Sequence, residues 1–319
     1  MTSRDEYYDL IDAIYSECPD IRQSLQYINN IANNIKTIKK KSPDLYSIEN
    51  FINLDNESKT ALLKYAIKNL NLSEFLNLIT HCKSTVYSEV INEYLLLLIH
   101  SISKNTECNK KLVCQIIELL IELGCDTSYN NHLATILASR SHNFILQLIL
   151  SHGGDACVLD NMPIRHAVQT NKNLNNIMLL IEHGGNIHTH NDYIFRYSVY
   201  HNNFSVIKYC IDIGVDVNIN NGIAIKYSIY NGSKMFDMLI NHGADINYID
   251  GNDIFNLVQN KNISLLKKIS DLGVKIDQMN SVCDIMNKDN DNNYTIFQFL
   301  KNNGIPDKNI IFALEYRDD

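Results

Sequence analysis

A single glycine recurs at near-constant intervals, at Gly124, Gly153, Gly184, Gly214, Gly243, Gly273 and Gly304, with successive spacings of 29, 31, 30, 29, 30 and 31 residues. Units of about 30 residues are too short to enclose a core alone. They bury apolar surface by stacking on their neighbours, so this period predicts an array rather than a single globule. The surrounding residues repeat with the glycine, as in LLIELGCD, LLIEHGGNIH, YCIDIGVDVN and MLINHGADIN.

Each glycine closes a run with apolar residues at helical spacing, such as Val206, Ile207, Cys210 and Ile211 before Gly214. Glycine at that point predicts a left-handed helix end, which a residue with a Cβ adopts only at a cost of about 1 kcal/mol or more. Upstream lies a shorter apolar segment holding a small residue at an equivalent place: Ala138, Ala167, Ser198 or Ser228. Small side chains there predict close helix packing, since a larger one would overpack. Polar stretches such as VNINNG and INYIDGN separate the units and read as turns.

Helix, short loop, helix, glycine and extended turn follow one another in each unit, and that order resembles the ankyrin repeat. Its P-L-H-x-A pattern stands here as Pro163-Ile164-Arg165-His166-Ala167, and its L-L-x-x-G-A-D-(V/I)-N pattern as Leu239 to Asn247. More narrowly, GGNIHTHNDYIFRYSVYHNNFSVIKYCIDIG resembles repeats encoded by mimivirus-like giant DNA viruses. The resemblance implies an all-α solenoid of stacked helix-turn-helix units with short extended turns. About eight units are expected over residues 59–307, most regular over 130–277, with a longer loop around Ser101 to Lys111. Residues 1–58 carry no glycine signature, but DEYYDLIDAIYSE and IRQSLQYINNIANNIKTI read as amphipathic helices, expected to cap the array. A divergent F-box-like module is the alternative there. Residues 308–319 are left as a C-terminal tail.

Composition narrows the function classes. With 36 acidic and 28 basic side chains the formal charge is −8, which opposes binding to a nucleic-acid backbone. The eight cysteines are scattered, with no C-x-x-C pair, and suit reduced thiols in an intracellular protein. The N-terminus is acidic rather than signal-like, and the longest apolar run, Tyr94 to Ile99, is far too short to cross a bilayer. Asn makes up about one residue in seven, which fits an AT-rich genome. The expectation is a monomer in the cytoplasm, or in a host's cytoplasm if viral, with the nucleus also open.

No constellation for catalysis or cofactor binding emerges. His152, His183 and His242 each precede a repeat glycine, about one repeat apart, too far to share a metal. Their expected role is to meet free carbonyls at helix ends. His188 and His190 lack companion ligands, and Cys210 lies at an apolar helix position. Asp55 to Glu57 and Asp289 to Asn293 lack the order of a calcium loop, and Lys39 to Lys41 read as a solvated helix end. An enzyme is therefore not expected, nor any cofactor or metal.

Arg165, Arg196 and Lys226 occupy one repeat position, followed by His166, Tyr197 and Tyr227, while the turns carry Asp160, Asn191, Asp192, Asn221 and Asp250. By the resemblance, this side of the array is the concave binding face. Arg and Tyr often anchor interfaces, so these residues form a candidate surface for an acidic or polar segment of a protein partner. Two other readings stay open. The cations could instead bond to the array's own backbone carbonyls, and the array could serve as a virion or assembly scaffold.

Overall fold

The computed structural model describes residues 48–81, 88–105, 107–169, 174–260, 262–274, 301–302 and 304. Most of the proposed N-terminal cap, the stretch from 275 to 300 and the tail 308–319 lie outside the described residues. The chain divides into two compact units, Met1–Asn186 and Ile187–Asp319.

In the first unit the helices are α1 (Ile48–Ile52), α2 (Asn56–Lys68), α3 (Leu72–Thr80), α4 (Ser88–Ser103), α5 (Lys110–Glu122), α6 (Tyr129–Ala138), α7 (Asn143–Ser151), α8 (Val158–Val168) and α9 (Leu174–Glu182). They pack in successive pairs, α2 with α3, α4 with α5, α6 with α7 and α8 with α9. The first helices α2, α4, α6 and α8 also pack in succession, and so do the second helices α3, α5, α7 and α9. The second unit repeats the plan with α10 (Thr189–Tyr200) and α11 (Phe204–Asp212), α12 (Ile219–Asn231) and α13 (Ser233–Asn241), then α14 (Gly251–Gln259) and α15 (Ile263–Asp271). A short 3-10 turn over Ile246–Tyr248 separates the last two pairs. No strand occurs among the described residues, and the fold is an all-α ankyrin-repeat solenoid.

Local chemistry explains these elements. The repeat glycines from Gly124 to Gly304 all have positive φ, between 88° and 96°. Around Gly214 this geometry lets the Val215 N–H donate back to the Cys210 carbonyl at 2.9 Å, satisfying a carbonyl that would otherwise end the helix unpaired. Side chains close several helix starts: the Asp55 carboxylate accepts from the Ser58 N–H at 2.8 Å and Asn109 from the Leu112 N–H at 3.2 Å. The small residues Ala138, Ala167, Ser198 and Ser228 are completely buried, as their packing role requires. The cores between pairs are aliphatic, with Ile145, Leu146 and Ile149 in one repeat and Val206, Ile207 and Cys210 in another. Of the extra residues expected as a loop around Ser101 to Lys111, the first extend α4 through Ser103, and the connection from there to Lys110 of α5 is longer than residues 69–71 between α2 and α3.

One recurrent backbone feature went unseen in the sequence. Four of the first helices open with three consecutive residues in the left-handed region: Asn130-Asn131-His132, Leu159-Asp160-Asn161, His190-Asn191-Asp192 and Asn220-Asn221-Gly222. Asn, Asp and His tolerate this conformation better than other residues with a Cβ, because their short polar side chains can bond locally. The abundant Asn therefore has a conformational use at the turn tips besides any origin in base composition.

Candidate functional site

The left-handed triplets form the tips of the repeats and turn backbone carbonyls toward the first helix that follows. In the second unit, Arg196 lies four residues after Asp192 and folds back on its own tip. Its Nε donates to the Asn191 carbonyl at 2.9 Å and its Nη2 to the His190 carbonyl at 2.8 Å. Burial lowers the Arg196 pKa from its usual value, opposed by the surrounding Tyr227, Tyr193 and Asp192. In the first unit, Arg165 repeats the arrangement, its Nη2 donating to the Leu159 carbonyl at 3.1 Å. Only 1% of Arg165 and 9% of Arg196 is exposed. Both guanidinium groups bond to the array's own backbone, each to the tip of its own repeat.

Lys226 takes a third course. Its ammonium reaches the following repeat, 2.7 Å from Asp250 and 4.0 Å from Asp253. Those two carboxylates open α14 in a reciprocal arrangement, Asp250 accepting from the Asp253 N–H and Asp253 from the Asp250 N–H. Partial burial would raise Asp250, but the bonds from Lys226 and from the Asp253 and Asn252 N–H groups hold it below the usual carboxylate value. Deeper burial keeps Asp253 above that value.

The neighbours of these cations are also enclosed. His166 is buried, its Nδ1 bonded at 2.9 Å to the Ile136 carbonyl and its Nε2 3.3 Å from Arg140 Nη1. This pairing suits a neutral ring that donates from Nδ1 and accepts at Nε2, and burial together with the Arg140 charge lowers its pKa to about 3. Tyr197 is buried between Tyr193 and His201, with ring centroids 5.5 Å and 4.2 Å away. Asp192 is buried and accepts from His188 Nδ1 at 2.6 Å. By contrast, Asp160, Asn191, Asn221 and Asp250 remain exposed at the tips, and Tyr227 is partly exposed.

Tips are tied to the next repeat by side chains that sequence reasoning passed over. The third left-handed residue often does this: His132 Nδ1 accepts from the Asp155 N–H and Asn161 Oδ1 from the Asn186 N–H, at 3.2 and 2.7 Å. Asn218 accepts from the Asp245 N–H and donates to the Gly243 carbonyl. Deeper in the first unit, the buried Asn176 amide donates to the Ser139 and Ser141 carbonyls, each at 2.9 Å, and accepts from Asn143. Asn176 follows a polar run in the sequence, and only its register on the buried side of α9 could have marked it.

The remaining candidates have structural partners. His152, His183 and His242 bond through Nδ1 to the carbonyls of Leu148, Leu179 and Met238, four residues back in each helix. Burial pushes the Cys125 and Cys210 thiols up to about 12, far from nucleophilic thiolates. Among the described residues no three His, Cys, Asp or Glu side chains are grouped to hold a metal ion, and no helix is long and apolar enough to cross a membrane.

No family model matches the chain. Similar proteins come from Acanthamoeba polyphaga mimivirus. Ankyrin repeat protein R599 is 26% identical over 245 residues, which cover 75% of this chain and 66% of that protein, just under two thirds of its length. Ankyrin repeat protein R598 is 26% identical over 228 residues, covering 64% of this chain and 72% of its own. A shorter match to ankyrin repeat protein R602, 28% identical over 118 residues, covers 37% of this chain and 38% of that protein.

Proposed function

We propose that this chain, an ankyrin-repeat protein of the mimivirus type, works by holding a partner protein reversibly through the first helices and tips of its repeats, without catalysis. The single observation that carries this reading is how the tips are built. Two of them are fixed from within by Arg165 and Arg196 and carry the exposed Asp160 and Asn191, while the exposed Asn221 and Asp250 stand at the next two turns, Asp250 held by Lys226. A surface ordered before binding loses less conformational entropy on association, so more of its contact energy appears as affinity. In this reading Arg165, His166, Arg196 and Tyr197 position the surface, and the exposed tip residues with Lys226 and Tyr227 make the contacts. The protein acts as a monomer in the cytoplasm of an infected host and binds neither nucleic acid nor membrane.

Affinity capture of the tagged full chain from infected host cells tests the proposal. A stoichiometric protein partner that is lost when Asp160, Asn191, Asn221 and Asp250 are replaced by Ala is the expected result, provided helicity is unchanged. Absence of any partner, with the protein recovered in purified particles, would replace this reading by that of a virion scaffold.

A further inference from the structure

We propose that the first-helix face of the second unit receives a positively charged, arginine-bearing segment of the partner. This inference rests on the interaction-module reading and supplies the chemistry of what is held. It reverses the polarity suggested by the cation series in the sequence, because two independent features of the structure favour a basic segment.

The first feature is aromatic. Tyr200 lies edge-on to Tyr227, with centroids 5.4 Å apart and planes at 82°, and stands beside His201 at 5.1 Å. One turn further along α12, Tyr230 is 46% exposed, and its hydroxyl accepts from Asn256 Nδ2 at 2.6 Å. That bond holds the Tyr230 side chain against α14. Tyr200 and Tyr230 follow Arg196 and Lys226 by four residues, about one helical turn, so each lies on the face of its helix that carries the cation. Ring faces of tyrosine attract cations, and a planar guanidinium can stack on one while its N–H groups reach a carboxylate.

Charge segregation is the second feature. Between Ile187 and Val274 the turns carry the exposed carboxylates of Asp216, Asp245 and Asp250. Among the described residues the cations on the tip and first-helix side are Arg196, buried on its own backbone, and Lys226, set against two aspartates. The other lysines among the described residues, Lys208, Lys234, Lys267 and Lys268, stand on second helices. Among the described residues the turns and first helices of this unit carry Asp192, Asp216, Asp245, Asp250 and Asp253 against Arg196 and Lys226, an excess of negative charge. An acidic segment would meet repulsion there, whereas arginines would gain both carboxylates and aromatic rings.

The test uses the intact chain and three labelled peptides of equal length, with Gly alternating with Arg, with Lys or with Glu, titrated by fluorescence anisotropy at low and moderate salt. The Arg peptide is expected to bind more tightly than the Lys peptide of the same charge. Tyr230→Leu, which keeps an apolar side chain but loses the ring, should weaken Arg-peptide binding about threefold to fivefold and leave the Lys peptide nearly unchanged. Asp245→Asn should weaken both, with a shallower salt dependence. Equal Arg and Lys binding, indifference to Tyr230→Leu, preference for the Glu peptide, or no binding of any peptide would each overturn the proposal. A partner captured from infected cells that still binds the Tyr230→Leu chain would leave the interaction-module reading standing while refuting this account of its chemistry.

Discussion

Arg196 and Asn191 are joined by a 2.9 Å bond from the guanidinium Nε to a carbonyl held in a left-handed turn, and the same guanidinium reaches the His190 carbonyl at 2.8 Å. A cation that sequence position alone would offer to a ligand thus fixes the shape of the surface beside it. Arg196→Leu removes two charged donors from these part-buried bonds, so unfolding stability should fall by about 2 kcal/mol, measured by urea denaturation followed by circular dichroism. Arg196→Lys should recover only part of this, because an ammonium lacks the planar fork. Unchanged stability in Arg196→Leu with weakened partner binding would make Arg196 a contact residue instead.

The two kinds of glycine separate conformational strain from steric conflict. Gly243 has φ +88° and nothing within 4 Å of where a Cβ would sit, so Gly243→Ala should cost about 1 kcal/mol, all of it backbone. At Gly222, φ +69°, a Cβ would fall inside the Tyr248 side chain packed over the tip, and Gly222→Ala should cost about 2 kcal/mol or more. Thermal unfolding of the two variants should rank them in that order. Equal costs would mean that Tyr248 moves aside freely.

The buried Asn176 amide makes three hydrogen bonds, to the Ser139 and Ser141 carbonyls and from Asn143. Asn176→Asp removes the amide donor and sets a carboxylate against the Ser139 and Ser141 carbonyls. It should destabilise by about 3 kcal/mol or more and by more than Asn176→Ala. Urea midpoints that rank Asn176→Ala as the worse variant would show that packing rather than hydrogen bonding makes Asn176 matter.

His166 predicts a pH dependence of definite sign. Its folded pKa, lowered to about 3 by burial and by Arg140, lies below the ordinary value of 6.5. The unfolded chain therefore binds the proton first. Stability is fully present above about pH 6.5 and falls as pH drops toward about 3, by up to roughly 1.4 kcal/mol per pH unit from this group. His166→Gln should flatten the fall between about pH 6.5 and 5, before carboxylates titrate. An identical slope in variant and parent would mean that His166 takes up its proton without unfolding the protein.

Much of the fold was legible because its signals are local and periodic. Gly124 to Gly304 marked helix ends through a conformation that glycine adopts most readily, and Ala138, Ala167, Ser198 and Ser228 marked positions where helices approach closely. The direction of Arg165 and Arg196 was not legible, because it depends on carbonyls aimed by a three-residue left-handed turn. That turn is written in Asn, Asp and His, residues equally at home in ordinary loops. Leu159, a poor left-handed residue, gave no hint of it at all. The divergence of Lys226 from the two arginines follows from Asp250 and Asp253 in the next repeat, a relation visible only once the repeats are stacked. Tyr200 and Tyr230 were hidden for a related reason: their shared face depends on the helical phase set by those tips.

Amide hydrogen exchange on the full chain, with and without its captured partner, tests the central claim most directly. The account predicts new protection at the tips and first helices, over 189–200, 219–231 and 251–259. Protection confined to the second helices, over 204–212, 233–241 and 263–271, would contradict it.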